Sequence, residues 1–196
     1  MKIPFIKMHG LGNDFIIFDN INTPILYEVN FIKKISNRRV GIGCDQILMI
    51  ENTSVKEKFK VKMFNSDGSE TGACGNGTRC VADYLMKKET IDSIHIETIS
   101  GNLNCTKHKD DVTVNMGEPI FDWNDIPLIS KQNTQKVILD NFEAFCLSIG
   151  NPHAVIFFPN LSDLEKLDLQ SIGPILEKNP VFPEFANIEF ACVLEN

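Results

Sequence analysis

The sequence predicts an α+β fold in which mostly antiparallel strands wrap a central helix in each of two domains. Three observations predict it. Short apolar segments of strand length recur along the whole chain, and several alternate with polar residues. A glycine-rich loop at residues 65–80 leads into a helix within the first half. The second half repeats features of the first half in the same order, which indicates a duplicated unit.

In the first half, strands and helices follow one another with no low-complexity sequence between them. Residues 58–64 alternate lysine with apolar residues, a pattern typical of a half-buried strand that delivers the chain to the glycine-rich loop. The strands predicted here are 3–9, 14–19, 46–50, 58–64, 94–99, 101–106 and 111–116, and the helices are 28–37 and one continuing through 81–88.

In the second half, residues 115–127 are predicted to cross from one domain to the next, so that the domains are residues 1–117 and 118–196. A proline-rich loop precedes the last strand. The predicted strands are 136–139, 142–149, 154–158 and 187–194, with a helix at 171–177.

The two halves are related by the order of their polar residues. In each half an Asn after a glycine precedes an apolar strand, then a helix, then a loop that ends in a second amide side chain. The spacing is 33 residues from Asn13 to Gln46 and 36 residues from Asn151 to Asn187. The same duplication would put the counterpart of Cys74 beyond Asn196, so we expect the second domain of these 196 residues to be incomplete.

The glycine-rich loop carries the strongest chemical signal. Cys74 lies where the loop becomes a helix, and the positive end of the helix dipole should lower the pKa of its thiol. Gly75 and Gly77 permit positive φ and leave room for a ligand to approach the backbone. A phosphate-binding glycine turn beside an inert cysteine is the alternative. It is the weaker one, because no Lys follows the glycines and the spacing is not that of a dinucleotide-binding loop.

Charge and composition limit the kinds of binding partner and the compartment that fit this chain. A formal charge of −7 argues against nucleic acid or an anionic membrane as a partner. The longest apolar run, residues 154–158, is too short to cross a bilayer, and the N-terminus is not that of a secretory signal. Six cysteines without such a signal predict reduced thiols in the cytoplasm. We expect no metal site, because no CxxC motif occurs and the four histidines are dispersed.

Five segments match motifs of one enzyme family. They are residues 7–15, 41–46, 65–80, 150–153 and 182–187. Through them the chain resembles diaminopimelate epimerase, a cofactor-independent enzyme of lysine and peptidoglycan-precursor synthesis. The resemblance runs from end to end. It implies two pseudo-symmetric barrels, each around a helix, with diaminopimelate as substrate and two cysteines that transfer the α-proton.

The resemblance also implies roles for individual residues. Cys74 would be one of the two catalytic cysteines, and His153 would assist thiol ionisation. Gly75 and Asn76 would bind a carboxylate through backbone N–H groups. The remaining substrate-binding side chains would be Asn13, Gln46, Asn65, Asn151 and Asn187. Taken without the family pattern, the asparagines are equally typical of turns, and His153 of a core or turn histidine.

The sequence departs from the family after Asn187, where the expected Glu-Arg pair and second cysteine-glycine-threonine loop do not follow. The other five cysteines are expected to be small buried hydrophobic residues. We therefore expect this chain alone to epimerise poorly. A barrel without its central helix exposes apolar strands, which favours association such as a homodimer. The alternatives are a non-catalytic remnant that at most binds an amino acid, and a proline-racemase-like isomerase.

Overall fold

The structure is a computed structural model that describes residues 2–22, 24–55, 57–72 and 74–194. The chain forms two compact units, Met1–Gly117 and Glu118–Asn196. Each has its own apolar core, so each is described by itself.

Unit 1 is a single curled sheet around a helix. Its strands follow the order β1-β2-β3-β4-β6-β7-β8, and β5 pairs with β4. The strands are β1 (Ile6–Gly10), β2 (Asn13–Asp19), β3 (Gln46–Asn52), β4 (Lys58–Asn65), β5 (Glu70–Thr71), β6 (Ser93–Thr98), β7 (Gly101–His108) and β8 (Asp111–Asn115). The helices are α1 (Val29–Ser36) and α2 (Gly75–Glu89).

Helix α2 is the central helix that the sequence predicts. It contacts β1 at one edge of the sheet and β8 at the other, so the sheet wraps around it. Val81 and Leu85 on this helix are fully buried against Phe15 and Leu48 of the sheet. Burying one large apolar side chain contributes about 1.5–3 kcal/mol, so this interface contributes substantially to the stability of unit 1.

Helix α1 packs on the opposite face of the same sheet, where Ile32 joins a second core with Ile16 and Ile47. Strands β2 and β3 are therefore buried on both faces. This explains why their sequences are continuous apolar runs instead of alternating ones.

Unit 2 is a four-stranded sheet in the order β12-β11-β10-β9. Its strands are β9 (Val137–Leu139), β10 (Phe142–Ser148), β11 (Pro152–Phe158) and β12 (Asn187–Cys192). Two helices, α3 (Leu161–Leu164) and α4 (Leu169–Glu177), lie between β11 and β12 in the chain. The core includes Val137, Ala154 and Leu176, whereas Ile138 and Phe157 are exposed.

The duplication is visible in the strand register. Strands β2 and β3 are parallel with Phe15 opposite Gln46, and β11 and β12 are parallel with His153 opposite Asn187. In both units the first of these strands also pairs antiparallel with the strand before it. Helix α1 connects the parallel pair in unit 1, and α3 with α4 connect it in unit 2. Residues 118–194 contain no helix in the position of α2.

The predicted α+β fold with mostly antiparallel strands is confirmed: seven of the ten described strand pairings are antiparallel. Two short elements, β5 and α3, were not predicted because segments of two to four residues carry no usable periodicity.

Candidate active site

Three amide side chains of unit 1 lie at the same end of three neighbouring strands, β2, β3 and β4. Asn13 begins β2 and Gln46 begins β3, and these strands are parallel, so their starts align. Asn65 ends β4, which runs antiparallel to β3 with Asn65 opposite Gln46. The topology thus brings together residues that are up to 52 positions apart in the chain.

Cys74 lies at the start of α2, as the sequence predicts. Its extended backbone caps the helix, and its Sγ accepts a hydrogen bond from the Gly77 backbone N–H at 3.3 Å. Its carbonyl accepts from the Thr78 hydroxyl at 2.9 Å, which fixes the first turn. Sγ also lies 3.7 Å from Asn13 Oδ1, so the thiol meets a residue 61 positions earlier in the chain.

The expectation that the helix terminus would lower the thiol pKa of Cys74 is wrong. Burial raises the pKa of Cys74 above its usual value, and the charge of Asp45 acts in the same direction. The backbone N–H groups of Gly77 and Asn76, with the charge of Arg79, lower it but do not outweigh burial. Desolvation disfavours the thiolate more than one helix end stabilises it.

The role expected for the loop glycines is also corrected. Gly75 and Gly77 lie inside α2, and neither has a positive φ. A Cβ at Gly77 would come within 3.3 Å of Leu48 and Phe15, so the core around this position is packed tightly against the glycine. A Cβ at Gly75 would meet nothing closer than the Met116 sulfur at 3.8 Å, so of these two glycines Gly75, at the first helical position, is the one with open space beside it.

A directed chain of hydrogen bonds runs from Asp67 to Gln46. The Ser69 hydroxyl donates to the Asp67 carboxylate at 2.6 Å, and Asn65 Nδ2 donates to Ser69 Oγ at 3.1 Å. Gln46 Nε2 then donates to Asn65 Oδ1 at 2.9 Å. Because the Asp67 carboxylate only accepts, the side-chain amides of Asn65 and Gln46 both have their carbonyl oxygens on the side away from Asp67. Gln46 Oε1 ends the chain as a buried acceptor with no partner in the described residues.

A charged cluster beside Asn13 was not assigned a role from the sequence. Arg38 donates to both oxygens of Asp14, at 3.0 and 2.7 Å, and to Asp45 Oδ1 at 2.8 Å. Lys7 donates to Asp14 at 2.7 Å. The Arg38 guanidinium, together with Lys7, holds the pKa of the Asp14 carboxyl well below its usual range. The sequence does contain a signal for this cluster, because Asp14 and Asp45 both lie in the family motifs.

In unit 2, the predicted residues Asn151, His153 and Asn187 form a second local group. His153 Nδ1 lies 2.7 Å from Glu189 Oε1 and its Nε2 lies 2.9 Å from Asn151 Oδ1. Asn187 Nδ2 donates to the Pro152 carbonyl at 3.1 Å. Because Glu189 can only accept, Nδ1 is the nitrogen that carries the proton in this contact.

The remaining cysteines fit the expectation of small buried residues with one exception. Cys44, Cys80, Cys105 and Cys146 are buried, whereas Cys192 is half-buried. Burial raises the thiol pKa of each of the four buried ones. Among the described residues no group of three His, Cys, Asp or Glu side chains is arranged to hold a metal ion. None of the described helices is both long enough and apolar enough to cross a membrane.

Comparison with known proteins decides the family. The sequence profile described as diaminopimelate epimerase matches residues 5–121. A diaminopimelate epimerase of Rhodospirillum centenum is 41% identical, in an alignment that covers 97% of this chain and 66% of that relative. One of Nitrosospira multiformis is 40% identical, with 100% and 72% covered. The chain belongs to the diaminopimelate epimerase family. The resemblance inferred from the motifs is therefore confirmed.

Membership in this family identifies the chain as an epimerase, which is an isomerase that acts on a small molecule. It does not favour the proline-racemase-like alternative. The chain spans about two thirds of the length of these relatives, 66% and 72%. Among solved structures, a phenazine biosynthesis protein of Bacillus anthracis has a TM-score of 0.60 at 18% identity, covering 98% of this chain and 67% of that protein. At this identity the likeness concerns the fold alone.

Proposed function

We propose that Cys74 transfers the α-proton of diaminopimelate, as a thiolate base in one direction and as a thiol acid in the other. One observation carries the proposal. Cys74 Sγ accepts from the Gly77 N–H at 3.3 Å and lies 3.7 Å from the side-chain amide oxygen of Asn13, Oδ1. The sulfur thus has a donor that suits the thiolate and an acceptor that suits the thiol, so both forms needed in a reversible proton transfer have a partner.

Removal of the α-proton leaves a carbanion, and no pyridine ring is needed if the protein stabilises that charge directly. We propose that the α-carboxylate binds at the first turn of α2, at Gly75 and Asn76, where the helix dipole favours negative charge. The open space at Gly75 supports this position. In this scheme the reaction is cofactor-independent.

The amide side chains then hold the polar groups of the substrate. The buried, unpaired acceptor Gln46 Oε1 supports binding of a substrate ammonium, because a buried acceptor without a donor is costly. Asn13 and Asn65 lie at the same end of the neighbouring strands as Gln46. Asn151 and Asn187 carry the corresponding role in unit 2, where we propose that His153, oriented by Glu189, assists thiol ionisation.

Inversion at carbon needs a second acid or base on the opposite face of the substrate. These 196 residues hold one cysteine loop of the family type. We therefore propose that a polypeptide of these residues removes and returns the α-proton on one face faster than it inverts the centre. It would act in the cytoplasm, where its thiols stay reduced. The exposed Ile138 and Phe157 support a homodimer.

The test measures, by proton NMR, how fast the α-proton signal of diaminopimelate is lost in deuterated water. Cys74→Ala should reduce the exchange rate by about 10²-fold or more, which is the usual contribution of a positioned acid or base. Cys192→Ala is the matched control, because Cys192 is the other cysteine that is not fully buried, and it should exchange at the wild-type rate. Exchange that survives Cys74→Ala would overturn the proposal.

A further inference from the structure

The side-chain amide of Asn13 lies between a carboxylate and the candidate catalytic thiol. Its Nδ2 donates to Asp45 Oδ2 at 3.0 Å, and its Oδ1 lies 3.7 Å from Cys74 Sγ. The two ends of an asparagine amide have nearly the same shape and opposite hydrogen-bonding character. Which end faces the sulfur is therefore decided by what the other end contacts.

Asp45 decides the orientation of the Asn13 amide, because a carboxylate accepts hydrogen bonds and does not donate them. The NH₂ end of Asn13 must face Asp45, which leaves the carbonyl oxygen facing Cys74. We propose that Asp45 is a positioning residue, which fixes the Asn13 amide so that its oxygen accepts the Cys74 S–H. This inference rests on the proposed role of Cys74 and names a residue that acts on it through another side chain.

The Asp45 carboxylate is itself held from several sides, although its side chain is 44% exposed. Arg38 donates to Oδ1 at 2.8 Å, and the Asp14 backbone N–H donates to Oδ2 at 3.0 Å. In return the Asp45 N–H donates to the Asp14 carboxylate at 3.0 Å. A carboxylate with this many partners has little freedom to release Asn13 and turn away.

The loop before Asp45 gives it this place. Gly41, Gly43 and Cys44 donate their N–H groups to carbonyls at the end of α1, at 2.8, 2.9 and 3.1 Å. Gly43 has a φ of 82°, and a Cβ there would lie 2.8 Å from the Arg38 backbone. The loop therefore requires glycine at this position, and its close contact with α1 aligns Asp45 beside Asp14.

The orientation has a chemical consequence. A carbonyl oxygen beside sulfur favours the S–H form, whereas an amide N–H would favour the thiolate. Of the charged groups around Cys74, Arg79 lowers its pKa and Asp45 raises it, and Cys74 in turn raises the pKa of the Cys80 thiol. Asp45→Asn removes the requirement for an acceptor partner, so the Asn13 amide can turn and present its NH₂ end to the sulfur.

The experiment measures the pH dependence of Cys74 alkylation by iodoacetamide in the full chain. Trypsin releases residues 63–79 as one peptide with Cys74 as its only cysteine, so mass spectrometry follows this thiol by itself. With Asp45→Asn the midpoint of the profile should move to lower pH. Alkylation at pH 7 should become about threefold to tenfold faster, the effect of one hydrogen bond of ordinary strength on an equilibrium. An unchanged profile would overturn the proposal.

A charge effect alone would also move the midpoint, so a double-mutant cycle separates the two causes. In an Asn13→Ala background there is no amide to turn, and Asp45→Asn should then produce a clearly smaller shift. An equal shift in both backgrounds would mean that Asp45 acts only as a distant charge, which contradicts the proposal. Asp83→Asn removes another carboxylate of unit 1, one that bonds to Lys87, and should leave the profile unchanged.

If Asp45→Asn fails to fold, Asn13→Ala alone tests the orientation by its sign. Loss of an oxygen that accepts the S–H moves the midpoint to lower pH, whereas loss of an NH₂ that donates to sulfur moves it higher and overturns the proposal. Neither alkylation assay requires catalysis. Failure of the proposed epimerase function would appear separately, as absence of α-proton exchange.

Discussion

Gln46 Nε2 donates to Asn65 Oδ1 at 2.9 Å, and this bond leaves Gln46 Oε1 buried without a partner among the described residues. An unpaired buried oxygen lowers stability unless a donor satisfies it. We connect it with the ammonium group of the substrate, the strongest donor that an amino acid brings to a binding site.

Gln46→Met should therefore separate stability from binding. The variant loses the unpaired oxygen as well as the bond to Asn65, so we expect the free energy of unfolding in urea to change by less than about 1 kcal/mol. The affinity for meso-diaminopimelate by calorimetry should fall about tenfold or more, because a hydrogen bond to a charged group is lost. A variant that is strongly destabilised but binds normally would make Gln46 a structural residue.

The two glycines of the first turn of α2 should respond differently to alanine. Gly77→Ala places a Cβ 3.3 Å from Leu48 and Phe15, and this overpacking should cost about 1–3 kcal/mol of stability in urea unfolding. Gly75→Ala meets no such contact and should keep or slightly raise stability. If the substrate carboxylate approaches Gly75, the same variant should weaken substrate binding. Equal stability of the two variants would contradict the packing argument.

Asp19 joins β2 to α2 by accepting from the Tyr84 hydroxyl at 2.7 Å and from Lys88 Nζ at 2.6 Å. Burial raises the pKa of Asp19, but the hydrogen bonds from Lys88 and Tyr84 outweigh it and leave the pKa below its usual value of 3.8. A carboxyl whose pKa is lower in the folded chain stabilises the fold above its unfolded pKa and ceases to do so as the pH falls through the folded pKa.

Asp19→Asn should therefore destabilise the chain by about 1–2 kcal/mol at neutral pH, because Tyr84 and Lys88 lose a charged acceptor. The difference from wild type should stay constant from pH 8 to about pH 5 and shrink below about pH 4, in thermal or urea unfolding. Asp83→Asn removes only an i,i+4 pair with the exposed Lys87 and should cost less than about 0.5 kcal/mol. A deficit that persists undiminished in acid would contradict this account.

Much of the fold could be predicted because its periodic signals are local. The alternation at residues 58–64 and the apolar runs of β2 and β3 fix their elements regardless of the rest of the chain. Their pairing is different. That β2 and β3 are parallel depends on α1 crossing between them, and no residue in either strand encodes it.

The same distinction applies to the site. Cys74 at the helix start followed from spacing alone, whereas its raised thiol pKa results from burial by the surrounding fold and could not be derived from the loop. The contact of Asp45 with Asn13 spans 32 positions and depends on the loop folding back on α1. Sequence reasoning identified the motif that contains Asp45 but not the partner that gives it a role.

The central claim is that Cys74 transfers the α-proton from one face of the substrate. The most direct measurement is the ratio of α-proton exchange to interconversion of LL- and meso-diaminopimelate, by proton NMR in deuterated water with the 196-residue chain. The account predicts deuterium at the α-carbon in clear excess over interconversion. Interconversion as fast as exchange would show a second acid–base group within these residues and contradict the account.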